Sequence, residues 1–388
     1  MRKGPVLDFI YFDAGGGHRS AALALESVIQ SSGCGWTIRL VNLQEILDSL
    51  DVFRKVTGIR LQDIYNLLLA RGWTIGSTFL LPCMHAIIRL YHSQQVKLLT
   101  NYWRTQRPEM VVSLVPNFNR ALYESLQQAL PGVPLVTILT DLADYPPHFW
   151  MEKQRQYLVC GTKHAREQAK QMGYDDSQVF ATSGMILRPQ FYENSTVDLG
   201  AERRELGLDP RLPTGLVLFG GEGSNVMFSI AKQLGNCDLD LQLIMICGRN
   251  RALKERLARL QTRNKLHLEG FTKEIPRFMR MADFFIGKPG PGSISEAVQM
   301  GLPVIVERNA WTLPQERYNA DWVTEQQVGV VLHSFREIER AVRELLQGER
   351  LAATQARIRK LENRAVYEIP PILQSILAHH QGARAINE

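Results

Sequence analysis

No apolar run in the chain approaches the roughly 18 residues that span a bilayer. That excludes an integral membrane class and leaves contact with a membrane surface open. Cysteine is scarce, with five in 388 residues (Cys34, Cys83, Cys160, Cys237 and Cys247). The count is odd and no pair has zinc-finger or redox spacing, which argues against a disulfide framework or a cysteine-built metal site and reads as reduced thiols. A secretory leader is missing as well. Residues 6–12 are apolar but too short, carry Asp8 and lead to no small-residue cleavage site, so a cytoplasmic location is expected. There is no tandem repeat and no low-complexity tract. Gly15-Gly16-Gly17 fails the G-x-G-x-x-G spacing, which argues against a bound dinucleotide.

What is present is an ordinary globular composition, 45% apolar and 22% charged, in a length that fits two domains. Net charge is +6, and it is concentrated. Residues 50–107 hold eight Lys/Arg against two acids, Asp51 and Asp63, a surplus equal to that of the whole chain. Trp73, Phe79, Leu80, Leu81, Ile87, Ile88, Tyr91, Tyr102 and Trp103 interleave there with Arg60, Arg71, Arg89, Lys97, Arg104 and Arg107. Basic residues mixed with aromatics and leucines suit an anionic interfacial surface. The same pattern also fits two plain helices packed on a sheet. No nucleic-acid module is recognisable, and a nucleic-acid partner is not expected.

Short β-branched runs alternate with helical stretches, which predicts an α/β fold with parallel sheets. Strands are expected at 5–12, 38–43, 110–115, 134–140, 157–160 and 179–182. A second set is expected at 215–219, 241–247, 266–269, 283–286, 303–306 and 329–332. Twelve strands exceed a comfortable open sheet, so two sheets are expected, with the break in the turn-rich stretch 191–213.

Three constellations could carry chemistry. In the first, a strand runs into Gly15, Gly16, Gly17 and His18 and then a helix. Either the glycines admit a ligand and His18 faces it, or this is a plain strand–helix turn with a capping histidine. The second is Gly287-Lys288-Pro289-Gly290-Pro291-Gly292-Ser293-Ile294-Ser295-Glu296. Backbone N–H groups of Gly292, Ser293 and Ile294 would face a diphosphate at the helix start. Glu296 would reach a ribose or would merely complement the helix dipole. The third is Gln315, Glu316 and Asn319 at a strand's carboxyl end, suited to sugar hydroxyls or to a polar cap.

Taken together the motifs resemble glycosyltransferase family 28, within the monogalactosyldiacylglycerol synthase and processive diacylglycerol glucosyltransferase group. The resemblance rests on Gly15-Gly16-Gly17-His18-Arg19, on Thr140-Asp141-Leu142 with His148 and Trp150, and on the run Arg203 to Pro210. Gly220-Gly221-Glu222-Gly223, Cys247-Gly248-Arg249-Asn250 and Gly270-Phe271 follow in order. Lys288-x-Gly290-Pro291-Gly292-x-Ile294-x-Glu296-Ala297, Gly301-Leu302-Pro303 and Gln315-Glu316-x-x-Asn319 complete the set. The chain departs from the family's pattern at Tyr145-Pro146-Pro147-His148-Phe149, at Leu313-Pro314-Gln315 and at Arg317-Tyr318, which bear on the sugar and acceptor pockets.

The resemblance implies a GT-B fold, two Rossmann-like domains with parallel sheets facing across a cleft. It implies an acceptor-binding domain over 1–192, a UDP-sugar-binding domain over 193–360, and a C-terminal helix and tail over 361–388. It implies transfer of a hexose from a UDP-sugar to a lipid hydroxyl, with diacylglycerol the first choice, by a peripheral enzyme on the inner face of the membrane. By the same resemblance His18 acts as base, with Asp141 and His148 as further catalytic groups and Gly16 and Gly17 on the acceptor side. Donor binding falls to Gly221, Gly223, Arg249, Phe271, Thr272, Gly290, Gly292, Ser293, Ile294, Glu296, Gln315, Glu316 and Asn319. No Asp-x-Asp or His/Cys cluster stands in the donor loops, so neither metal nor cofactor is expected. Two alternatives stay open, a UDP-sugar epimerase on the same fold and a non-catalytic UDP-sugar-binding protein at a membrane.

Overall fold

The computed structural model describes residues 4–13, 16–48, 85–86, 88–145, 149–193, 197–310 and 312–387. Among these, one compact unit holds the chain up to Pro189 together with Asn363 onward, and a second holds Gln190–Glu362.

The first unit is a six-stranded parallel sheet. Its strands are β1 Val6–Tyr11, β2 Thr37–Asn42, β3 Met110–Ser113, β4 Leu135–Ile138, β5 Tyr157–Cys160 and β6 Val179–Ala181, in the order β2-β1-β3-β4-β5-β6. β3 and β4 are buried at every residue, as strands covered on both faces should be. The chain passes from β1 to β2 on one side and then crosses to β3 on the other. The order therefore reverses at β1/β3, and the crevice beyond their carboxyl ends is where such sheets bind ligands. Asp8 of β1 is fully buried and opposes Arg39 of β2, which donates to it from Nε at 2.5 Å. Burial pushes the Asp8 carboxyl up, and the guanidinium pulls it back.

A helix at Ala365–Asn387 returns to this unit. Val366, Ile369, Leu373 and Ile376 are buried at helical spacing. Asn363 donates to the Met185 carbonyl at 3.1 Å, and Tyr157 Oη lies 3.0 Å from His380 Nε2.

The second unit repeats the plan. Its strands are β7 Thr214–Leu218, β8 Gln242–Ile246, β9 Lys265–Glu269, β10 Phe284–Gly287, β11 Val304–Glu307 and β12 Gly329–Leu332, ordered β12-β11-β10-β7-β8-β9. The reversal here falls at β7/β10. Gly215 in β7 has no room for a side chain, since a Cβ would sit 2.7 Å from the Phe284 ring. The helix Leu199–Glu205 is tied to this sheet by Arg203, which donates to the Met281 carbonyl and pairs with Asp283 at 3.0 Å. Asp283 also accepts from the Thr214 N–H that opens β7, at 2.7 Å.

All twelve expected strands are present, most with ends displaced by one or two residues. Part of the basic segment is not what an interfacial surface requires. Trp103, in the helix His92–Gln106, is fully buried and donates to Ser125 Oγ at 2.9 Å, so it is a core residue. Arg89, Lys97, Arg104 and Arg107 are exposed, and Leu90 is 74% exposed. Arg60, Arg71, Trp73, Phe79, Leu80, Leu81 and Ile87 lie outside the described residues. Among the described residues no helix is long and apolar enough to cross a membrane.

Candidate functional site

In the first unit the chemistry gathers at the β1/β3 reversal. Gly16 adopts φ 79°, a left-handed conformation that glycine takes without strain, and it caps the helix Gly17–Ser31. His18 is the second residue of that helix. Its Nδ1 lies 2.9 Å from Thr140 Oγ1, just past β4. A second hydrogen bond runs from the ring to the Leu114 carbonyl, just past β3. Although the residue as a whole is only half-buried, the ring is closely packed by protein, and the loss of solvation pulls its pKa down to about 4 while the Leu114 contact opposes this. The imidazole is therefore neutral at pH 7. In the tautomer that carries its single proton on Nδ1, the lone pair stands on Nε2, where a base needs it.

Trp150 organises the surroundings. It is fully buried, its ring centroid is 5.9 Å from that of His18, and its indole N–H donates to Asp141 Oδ2 at 2.8 Å. Its backbone is clamped from both sides, by Asp144 on its N–H at 2.7 Å and Asn119 on its carbonyl at 2.9 Å. Asp141, half-buried, thus accepts from an indole. Arg19 pairs with Asp13 at 3.1 Å. Gly15 and His148 lie outside the described residues.

In the second unit two glycine turns come together at the β7/β10 reversal, since Leu218 of β7 lies beside Gly287 of β10. The first turn interlocks with the loop after β8. Gly248 leaves no space for a Cβ, which would fall 2.2 Å from the Gly221 carbonyl, and Arg249 N–H donates to that carbonyl at 2.8 Å. Gly223 adopts φ 63°, and its N–H closes the turn onto the Gly220 carbonyl at 3.3 Å. Gly223 shapes the turn and spends its donor doing so. Arg249 pairs with Glu222 at 2.8 Å and covers the Phe271 ring at 4.4 Å, where Phe271 is 53% exposed. Thr272 Oγ1 accepts from Glu274 N–H at 3.0 Å.

The second turn ends at Gly290, the cap of the helix Pro291–Gln299. Pro291 has no N–H, and Gly292 and Ser293 stand in the first turn, where amides lack intrahelical acceptors. The Ile294 N–H, expected to face a diphosphate, instead donates to the Gly290 carbonyl at 3.1 Å, and its side chain is fully buried. Ile294 packs the helix. Glu296 is half-buried one turn in.

Asn319, expected at the sugar, is fully buried and donates from Nδ2 to the Pro289 carbonyl at 2.9 Å. It fixes the glycine turn from behind. Gln315 and Glu316 lie in the 3-10 turn Pro314–Glu316, and Glu316 Oε1 lies 3.1 Å from Lys288 Nζ. The contacts of Thr140 and Trp150 with His18, and of Lys288 with Glu316, join residues that follow different strands, which spacing does not reveal.

Residues 216–367 match the glycosyltransferase family 28 C-terminal domain, and residues 18–185 match the monogalactosyldiacylglycerol synthase family. The chain carries a glycosyltransferase family 28 C-terminal domain. A similar curated relative is the chloroplastic monogalactosyldiacylglycerol synthase of Spinacia oleracea, 29% identical over 85% of this chain and 64% of that protein. The chain thus spans a little under two thirds of that relative's length. Among solved structures, MurG from Acinetobacter baumannii has a TM-score of 0.60 at 12% identity, over 96% of this chain and all of that one. A putative UDP-N-acetylglucosamine 2-epimerase from Listeria monocytogenes has a TM-score of 0.61 at 15% identity, over 98% and 97% of the two chains. These likenesses establish the fold as GT-B.

Proposed function

We propose that the protein is an inverting glycosyltransferase that moves a hexose from a UDP-sugar to the hydroxyl of a lipid, with diacylglycerol the acceptor. The observation that carries this is a neutral, closely packed imidazole at one reversal point and paired glycine turns at the other. The first suits a base, and the second suits a diphosphate. The similarity of residues 18–185 to monogalactosyldiacylglycerol synthases supports a diacylglycerol acceptor.

In this reading the acceptor oxygen attacks the anomeric carbon while His18 Nε2 takes its proton. The Thr140 contact holds the tautomer and Trp150 walls the ring. Leaving UDP gathers charge, which the Gly292 and Ser293 amides at a helix start offset without a metal. Glu296 holds the ribose, Phe271 and Thr272 flank the uracil, and Gln315 and Glu316 hold the sugar. One displacement inverts the centre. The protein meets the inner face of an anionic membrane through exposed Arg89, Lys97 and Arg104.

The test is incubation of the full chain with diacylglycerol vesicles and labelled UDP-glucose, UDP-galactose or UDP-N-acetylglucosamine. Label entering the organic phase with one donor supports the reading. Label left in water with all three contradicts it, and an epimerised UDP-sugar indicates the rival enzyme class.

A further inference from the structure

Lys288 follows β10 directly, and the β7/β10 register carries it alongside the turn after β7. Its stem reaches both glycine turns. A Cβ on Gly220 would lie 3.9 Å from Lys288 Cε, and one on Gly290 would lie 3.4 Å from it. The ammonium rests 3.1 Å from Glu316 Oε1. Its side chain is 42% exposed, against 12% for Glu316. An ammonium has three protons to donate, and the Glu316 contact uses one. A point charge therefore stands between the two turns and beside their backbone amides.

Resting on the UDP-sugar reading, we propose that Lys288 is a further catalytic residue, donating to the β-phosphate of the nucleoside diphosphate, with Glu316 holding it in place until the donor arrives. When the bond from the anomeric carbon to the β-phosphate oxygen breaks, its electron pair stays on that oxygen. The acceptor oxygen forms the new bond, its proton goes to His18, and Lys288 remains protonated throughout. Engagement of the phosphate draws Lys288 from Glu316 and frees a carboxylate oxygen for a sugar hydroxyl. The two subsites are thereby coupled through one ion pair.

Calorimetry with UDP and UMP on the full chain tests this, using Lys288→Gln, Lys288→Arg and Glu316→Gln. Lys288→Gln is expected to weaken UDP by about 10- to 100-fold, the scale of a lost charged hydrogen bond, and to leave UMP unchanged. Lys288→Arg should restore the preference for UDP. Glu316→Gln removes the competing carboxylate and should bind UDP as tightly as wild type or tighter. Equal loss of UDP and UMP in Lys288→Gln, or wild-type UDP affinity in that variant, overturns the assignment. So does a Glu316→Gln variant that loses UDP as Lys288→Gln does, since that marks the pair as scaffold. Wild-type protein that binds neither nucleotide overturns the donor reading on which the proposal rests.

Discussion

Lowering the pH from 7 to 5.5 should leave sugar transfer almost untouched, because burial holds the His18 pKa near 4. A ring with that pKa is about 97% neutral at pH 5.5, whereas an unperturbed histidine at 6.5 is only about 9% neutral. The acid limb of log kcat/KM should therefore bend near pH 4 rather than near 6.5. The same depression affects stability. The unfolded ring gains its proton as pH falls through 6.5, and the folded ring resists until about 4. Stability from this group is thus complete above 6.5 and lost on the way down to 4, by at most about 3 kcal/mol given the residue's partial exposure. His18→Ala should spare UDP affinity, lower turnover by about 10²–10⁴-fold and flatten this part of the unfolding profile. The assay is initial-rate transfer from pH 4 to 8 on wild type and variant, beside UDP calorimetry. A wild-type limb at 6.5 would refute the shielded base. Full activity in His18→Ala would remove it from the mechanism and turn attention to Asp141 and His148, and loss of UDP binding in step with rate would make His18 a phosphate ligand.

Glu296→Ala should weaken UDP by about 1–3 kcal/mol, the loss of a charged acceptor, and unchanged calorimetry would leave Glu296 as a helix-dipole residue. Replacing Arg89, Lys97 and Arg104 together by glutamine should reduce liposome binding that rises with anionic lipid and falls with salt, and equal binding to neutral vesicles would contradict the membrane contact. Arg203→Ala should cost about 1–3 kcal/mol in denaturant unfolding, because Asp283 loses its cation and the Met281, Pro210 and Leu212 carbonyls each lose a donor, with UDP affinity retained.

The strands were legible because parallel strands covered on both faces read as apolar runs, as Met110–Ser113 and Phe284–Gly287 do. The ordered motifs likewise pointed to the two family models that match, one over 18–185 and the other over 216–367. Side-chain direction was less legible. Asn319 and Ile294 sit within family motifs and both turn inward, and only packing shows it. Trp103 reads like an interfacial aromatic, yet it closes the core behind Ser125. The His18–Thr140 contact spans 122 positions, and the Lys288–Glu316 pair joins loops after different strands. Such contacts depend on strand order, which a linear pattern does not encode.

The proposed chemistry is a single inverting displacement onto a lipid hydroxyl. The most direct test is the anomeric configuration, read by proton NMR, of the glycolipid made from an α-linked UDP-hexose and diacylglycerol by the full chain. A single displacement gives a β-linked glycosyldiacylglycerol. An α-linked product, or UDP-hexose turned over with no sugar on the lipid, would contradict it.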